Sequence, residues 1–301
     1  MMTDQLKVEG TASLIRGVVK EVRPKQWAKN VLVFVAPGAA GVLLKSYPAF
    51  HAVFAFCVFS MAAGGTYLIN DLLDVEADRL HPKKRFRPIA AGTVPESLAW
   101  VLAAVLILGS VALGLWRNWQ FGMIVGLYVV LTTLYSVWMK HQPVLDLIGL
   151  SSGFILRLLG GAKATEVRIS SWFLIISCFG ALFIATGKRL AEKREMGDDT
   201  STRPILAKYT VEYLQYLKSV STAGVLLAYC LFAVERSNQH GPSSPWIELS
   251  IIPFLVAILR YAWLNDQGQG SAPEDVLFAD RQMQFFGLLW AILMAVSVYA
   301  K

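Results

Sequence analysis

About nine apolar runs, near residues 26–44, 49–69, 97–116, 119–139, 143–161, 171–187, 214–234, 246–264 and 282–300, fill most of this 301-residue chain. Each approaches the roughly 20 residues that carry a helix across a bilayer; the first is interrupted by Pro37-Gly38. Only 16% of residues are charged and 55% are hydrophobic, with a mean hydropathy of +0.50. Water-soluble domains carry nearer a quarter charged residues. Membrane strands would leave a ten-residue alternation, and none is visible. The expected class is an all-α integral membrane protein with about nine transmembrane helices, residues 31–301, preceded by an amphipathic segment over 1–30.

Charge placement orients the expected topology. With residues 1–30 and the loops after the second, fourth, sixth and eighth runs on one side, most of the 28 Lys and Arg collect there. The other side keeps Lys45, Arg117, Lys163, Arg168, Arg236 and Lys301. Basic loops stay cytoplasmic, so the N-terminus and polar loops are expected in the cytoplasm and the C-terminus outside. The net charge of +7 then follows from topology, with a lesser attraction to anionic lipid; it is no argument for nucleic acid. Met1–Gly10 is polar and acidic rather than signal-like. Within 11–25, Leu14, Ile15, Val18, Val19 and Val22 recur at helical spacing, which predicts a helix on the membrane surface. Cys57, Cys178 and Cys230 sit alone in apolar runs and suggest neither a metal site nor a disulfide framework.

The most distinctive polar stretch is Asn70-Asp71-Leu72-Leu73-Asp74-Val75-Glu76-Ala77-Asp78, at the end of an apolar run. At about 100° per residue, Asp71, Asp74 and Asp78 fall within roughly 60° of one helix face, while Glu76 points away. Basic residues follow at once, among them Lys83, Lys84, Arg85 and Arg87. Carboxylates sharing a stripe beside such a loop suit Mg²⁺ and a diphosphate. A solvated helix end with a stop-transfer loop would explain the lysines but not the stripe. Asp71, Asp74 and Asp78 are therefore the candidate catalytic and metal-holding residues.

Three further polar clusters lie on the same expected face. Tyr135-Ser136 through Lys140 leads to Asp146; Gly187-Lys188-Arg189-Leu190-Ala191-Glu192 ends the sixth run; Glu274, Asp275, Asp280 and Arg281 precede the last. Lys188 and Glu192 are four apart on one helix face. Either the Lys188–Arg189 pair is an ordinary basic helix end offsetting the macrodipole, or it is a phosphate site, the reading favoured here. Arg157 and Arg260 lie within apolar runs, where an unpaired charge costs several kcal/mol, so both should face the bundle interior or, for Arg260, reach toward the headgroups. His51, His81, His141 and His240 are scattered and form no ligand pair.

These residues resemble the UbiA superfamily of intramembrane prenyltransferases. Asn70-Asp71-x-x-Asp74-x-x-x-Asp78 is similar to its first aspartate-rich motif, Arg23-Pro24-x-Gln26-Trp27-x-Lys29-Asn30 to its opening, and Tyr135-Ser136 through Asp146 to the segment after its fourth helix. The resemblance covers essentially the whole chain and implies a nine-helix bundle with active-site loops at the cytoplasmic face. One departure narrows it. Ordinary members carry a second aspartate-rich motif after the sixth helix, whereas Gly187-Lys188-Arg189 is basic there. This segment, Lys84–Gly92 and Pro253–Ala262 are similar to the decaprenyl-phosphate phosphoribosyltransferase branch.

That branch implies transfer of a 5-phosphoribosyl group from phosphoribosyl diphosphate (PRPP) to a polyprenyl phosphate, with diphosphate released and Mg²⁺ as cofactor. Its product feeds lipid-linked arabinose donors for cell-wall arabinan. Asn70, Lys83, Arg85, Arg87, Tyr135, Lys140, Asp146, Lys188, Arg189 and Glu192 become candidate substrate-binding residues. Lys188 and Arg189 would hold the C5 phosphate of PRPP; Lys29 and Arg260 are candidates for the acceptor phosphate. A phosphate acceptor is already anionic and requires no general base. Two other readings stay open. One is an aromatic prenyltransferase using Glu192 and Glu195 for the missing aspartates; the other, remote, is an anionic-solute transporter, although transporters place polar groups at the midplane of broken helices. Acceptor length, metal count and a homo-oligomeric state are left open.

Overall fold

The computed structural model describes residues 13–196, 204–240, 245–267, 276 and 279–300; Glu274, Asp275, Lys301 and the first 12 residues, to which expectations were attached, lie outside them. Among the described residues every regular element is helical. After α1 (13–21) come a 3₁₀ segment, Pro24–Phe34, and the short α2 (Val35–Ala39). Then follow α3 (Ser46–Leu73), α4 (Val75–Leu80), α5 (Glu96–Arg117), α6 (Trp119–Val137), α7 (Leu145–Ala164), α8 (Ser171–Met196) and α9 (Val211–His240). The short α10 (Trp246–Leu249), α11 (Ile251–Asp266) and α12 (Arg281–Tyr299) complete the order.

Eight helical stretches among the described residues are long and apolar enough to cross a membrane, with α10 and α11 forming one of them. The expected first span is the exception. Residues 26–44 form no single α-helix: an 11-residue 3₁₀ stretch gives way to five residues of α2, with Pro37 and Gly38 inside it and Gly41 beyond at φ 72°. Proline removes a helix donor and clashes with the preceding turn, and a left-handed glycine ends helices. So long a 3₁₀ run is unusual and is held by tertiary contacts. Asn30 donates to Ser60 Oγ at 3.0 Å. A Cβ on Gly161 would stand 1.9 Å from the Val33 carbonyl oxygen, so only glycine admits this backbone.

The chain divides into two compact units. The first comprises the residues up to Val35, then Lys45–Val137 and Leu156–Glu166. Its axis is α3, whose buried side is rich in small residues: Ala52, Ala55, Ala62, Ala63, Gly64 and Gly65. Small side chains let membrane helices approach closely. A Cβ on Gly65 would meet Ile107 Cγ1 at 2.7 Å, and one on Gly114 of α5 would stand 2.9 Å from Gly122 Cα of α6. Phe59 and Phe121 fill the space between, with ring centroids 6.1 Å apart. A second apolar cluster, Leu68, Leu72, Val75, Ile89, Val94, Ala99 and Ala103, fastens the 84–94 loop to α3, α4 and α5, with Leu14, Val18 and Val22 packed against it. The expected amphipathic helix is therefore present over 13–21, but only part of its apolar set faces protein; Ile15 and Val19 remain exposed.

The second unit comprises Ala36–Leu44, Trp138–Ile155 and Val167–Lys301. Its core sits between α8 and the segment 205–214, with Leu147, Ala185, Leu190, Ile205, Leu206, Tyr209 and Leu214 buried together. A second cluster joins Phe183 of α8 to Tyr261 and Leu264 of α11 and Met283 of α12. Cys57, Cys178 and Cys230 are free thiols.

Candidate active site: an acidic stripe held by two arginines

The acidic stripe forms across the junction of α3 and α4. Asp74 leaves helical geometry (φ −93°, ψ 4°), yet the four-residue bonding rhythm continues, Asp74 N to Asn70 O at 3.0 Å and Asp78 N to Asp74 O at 2.8 Å. The register that puts Asp71, Asp74 and Asp78 on one side therefore survives the break. Asp71 and Asp78 are buried, Asp74 partly so. Two buried carboxylates two turns apart on one side require cations, and the first unit supplies them from elements distant in sequence. Arg87 Nη1 donates to Asp71 at 2.8 Å and to Asp78 at 2.6 Å. Arg23 Nη2 donates to both Asp71 oxygens at 2.7 and 2.5 Å, its guanidinium 4.9 Å from the Tyr67 ring centre. Asn70 Nδ2 donates to Asp71 at 3.2 Å, and Lys84 Nζ lies 3.9 Å from Asp78.

Both arginines are aimed by backbone features. Arg23 takes the left-handed conformation (φ 51°) at the mouth of the 3₁₀ segment. Arg87 follows the turn Lys84–Phe86, which the buried Ile89 and Val94 anchor. Glu21 links the two strands of this clasp. Its buried carboxylate accepts from the Ile89 amide at 2.8 Å, and burial, aided by the proximity of Asp71, pushes its pKa up to about 7.

Among the described residues no group of three or more His, Cys, Asp and Glu is arranged to hold a metal ion. Of the three stripe carboxylates, Asp71 and Asp78 converge on one point, and the cation at that point is Arg87 Nη1. The donors themselves, hard carboxylate oxygens, are the kind Mg²⁺ takes, so the pair fits a divalent ion once the guanidinium shares or yields its place.

The other candidates are placed differently. Lys83 and Arg85 are exposed, and Arg85 rests over the Phe86 ring at 4.8 Å. His81 Nδ1 accepts from the backbone amides of Lys83 and Lys84 at 3.2 and 3.3 Å, a turn-forming role. Lys29 donates to Gln26 at 2.6 Å. Tyr135 and Lys140 are half-buried. Arg157 is buried, donating to Asn30 Oδ1 at 2.6 Å and to Tyr128 OH at 2.8 Å. Arg260 does not reach outward alone: it pairs with Asp280 at 2.7 Å and covers the Trp263 ring at 4.5 Å.

In the second unit the basic segment of α8 is built into the core. Arg189 is 1% exposed and Asp146 0%. Arg189 Nε and Nη2 each donate to Asp146 at 2.6 Å, a bidentate pair, while Nη1 donates to Glu192 at 2.5 Å. Val144, two residues before Asp146, has φ 67°, an outlier for a β-branched residue. Its amide donates to Tyr209 OH at 2.9 Å, which holds the turn into α7. Arg189, Asp146 and Glu192, candidates from the sequence, are brought together here. The sequence reading missed Glu21 altogether and quoted Arg23 only within a motif; a basic residue before Pro24 was the one available signal.

The UbiA prenyltransferase family model matches residues 31–298. The chain is 42% identical over 304 aligned residues to a decaprenyl-phosphate phosphoribosyltransferase of Mycobacterium tuberculosis, covering 99% of each chain. It is 39% identical to the protein of that name from Corynebacterium glutamicum, covering 98% of this chain and 91% of the relative. A solved structure of a UbiA homolog from Archaeoglobus fulgidus, bound to GPP and Mg²⁺, superposes with a TM-score of 0.68 at 18% identity, covering 93% of this chain and 98% of that one. That likeness speaks to the fold alone. With eight apolar helices among its described residues and its aspartate stripe, this multi-pass membrane protein belongs to the UbiA prenyltransferase family.

Proposed function

We propose that this chain transfers the 5-phosphoribosyl group of PRPP to a polyprenyl phosphate such as decaprenyl phosphate. The bond between C1 of ribose and the diphosphate oxygen breaks, a bond from C1 to an acceptor phosphate oxygen forms, and diphosphate leaves. Identity of 39% and 42% over nearly the full length to two phosphoribosyltransferases supports this reading. The structural observation that carries it is the ion-paired state of the α8 end. The aromatic-prenyltransferase alternative relies on Glu192 and Glu195 in place of the missing aspartates, and Glu192 here helps fix the buried Arg189 at 2.5 Å.

The stripe is proposed to hold the diphosphate. Arg23 and Arg87, with side chains 28% and 26% exposed, can turn donors toward diphosphate oxygens, since guanidinium groups suit bidentate contact with phosphate. Asp71, Asp74 and Asp78 would hold Mg²⁺, which when bound neutralises charge on the departing diphosphate. The acceptor oxygen is already anionic, so no side chain must remove its proton, and positioning supplies most of the rate. In the second unit Lys188 is our candidate for a substrate phosphate, with Arg189 as a positioning residue fixed by Asp146 and Glu192. The remaining candidate assignments, Lys29, Lys83, Arg85, Tyr135, Lys140 and Arg260, stand as proposals. On charge grounds we place the stripe at the cytoplasmic face; from the resemblance to the phosphoribosyltransferase branch we assign the product to lipid-linked arabinose donors for cell-wall arabinan.

The test offers purified protein either radiolabelled PRPP with decaprenyl phosphate or a labelled prenyl diphosphate with an aromatic acid. Labelled lipid from the first mixture alone is the expected result. Prenylated aromatic product would overturn it.

A further inference from the structure

The N-terminal helix presents three different faces. Leu14 and Val18 pack inward. Ile15 and Val19, about 100° round the helix, are 58% and 51% exposed. On the third face Ser13, Arg16, Gly17 and Lys20 form one wall of a cleft of about 560 Å³, whose other wall is Phe86, Pro88 and Thr93. Among the described residues no carboxylate lines it, and its two charges are both positive. Lys20 makes only a long contact there, 3.5 Å to the Phe86 carbonyl oxygen.

We infer that this cleft is a binding site for the phosphate headgroup of an anionic phospholipid. Charge complementarity selects an anion, with Arg16 and Lys20 as donors and the Ser13 and Thr93 hydroxyls beside them. The exposed Ile15, Val19 and Phe86 select a lipid over a soluble anion. A helix with a basic flank beside an exposed apolar stripe is suited to the membrane interface, and in a membrane-spanning chain those side chains have acyl chains available to cover them.

Position gives the site a consequence. A Cβ on Gly17 would stand 2.9 Å from Val94 Cγ2, so α1 lies directly on the 88–94 loop. The Glu21–Ile89 bond ties the same two segments together. The chain leaving α1 delivers Arg23 to Asp71, and the loop delivers Arg87 to Asp71 and Asp78. A headgroup bridging helix and loop therefore braces both arginines of the stripe, making the lipid a positioning ligand.

The test requires no transfer reaction, so its outcome is separate from that of the proposed function. Full-length protein is reconstituted in phosphatidylcholine nanodiscs with or without phosphatidylglycerol. Retained phosphatidylglycerol is counted by native mass spectrometry, and hydrogen exchange is followed over 84–94. Arg16→Gln with Lys20→Gln should weaken phosphatidylglycerol retention roughly tenfold to thirtyfold and abolish the lipid-dependent protection of the loop. Arg16→Lys with Lys20→Arg should keep both, as should Lys45→Gln with Arg168→Gln, which removes equal charge elsewhere. Undiminished retention and protection in the glutamine pair would overturn the site. Displacement of the lipid by soluble glycerol 3-phosphate, or by polyprenyl phosphate at equal concentration, would overturn its assignment to phospholipid.

Discussion

Asp71 and Asp78 each direct a carboxylate oxygen to the same nitrogen, Nη1 of Arg87, at 2.8 and 2.6 Å. Seven residues apart on a nearly continuous helix, they act as two jaws around one cation. Arg23 closes on the outer side of Asp71 alone, so the pair has unequal surroundings.

If Arg87 occupies the place a divalent ion would take, charge loss and metal affinity should move in opposite directions. Arg87→Gln is expected to lower turnover while reducing the Mg²⁺ concentration needed for half-maximal rate, because two carboxylates lose their competing cation. Asp78→Asn should lower turnover and raise that concentration, and Asp74→Asn should remove most activity with folding intact. EDTA should abolish turnover and Mg²⁺ restore it. Full activity in EDTA would end the metal proposal; a higher Mg²⁺ requirement in Arg87→Gln would end the shared-position argument.

Adjacent residues on α8 should separate into structural and binding roles. Arg189→Ala leaves Asp146 buried without its bidentate partner, a change that costs roughly 3–5 kcal/mol. Apparent melting temperature in detergent should fall sharply, and Arg189→Ala with Asp146→Ala should recover part of the loss. Lys188→Ala should melt closer to wild type but raise the apparent PRPP constant about tenfold to hundredfold, as loss of one charge-assisted phosphate contact implies. An unchanged donor constant would remove Lys188 from the phosphate assignment.

Glu21 makes stability depend on pH. Its carboxyl titrates near 4.5 when unfolded and at about 7 when folded, so the folded state binds the proton more tightly. The resulting stabilisation is full below about pH 4.5 and is lost as pH rises through about 7. Glu21→Gln is neutral throughout. Its melting temperature should match wild type near pH 4.5, then exceed it by a margin that grows up to about pH 7 and levels off above. A margin that shrinks over that interval would mean the carboxyl is stabilised as the anion.

Gly161 tests the closest backbone approach in the first unit. Gly161→Ala drives a methyl group against the Val33 carbonyl and should destabilise by roughly 1–3 kcal/mol or more, as overpacking does. Gly126→Ala, with nothing near its Cβ direction, should melt near wild type. Equal melting temperatures would show that the 3₁₀ segment relaxes away from α7.

By itself the sequence determined what depends on short-range periodicity and on solvent. Apolar length set the helical membrane class, because a backbone in hydrocarbon must satisfy its own hydrogen bonds. The 100° helical step set the stripe, since Asp71, Asp74 and Asp78 are neighbours on one element whatever surrounds them. Tertiary structure alone decided the state of the charges. Arg23 reaches Asp71 across 48 residues and Arg189 reaches Asp146 across 43, separations no local pattern encodes. It also replaced the first expected span by a 3₁₀ segment, because Pro37, Gly38 and Gly41 interrupt an α-helix while Asn30, Ser60 and Gly161 reward the tighter backbone. Hydropathy registers the apolar surface of 26–44 but is blind to how closely another helix approaches it.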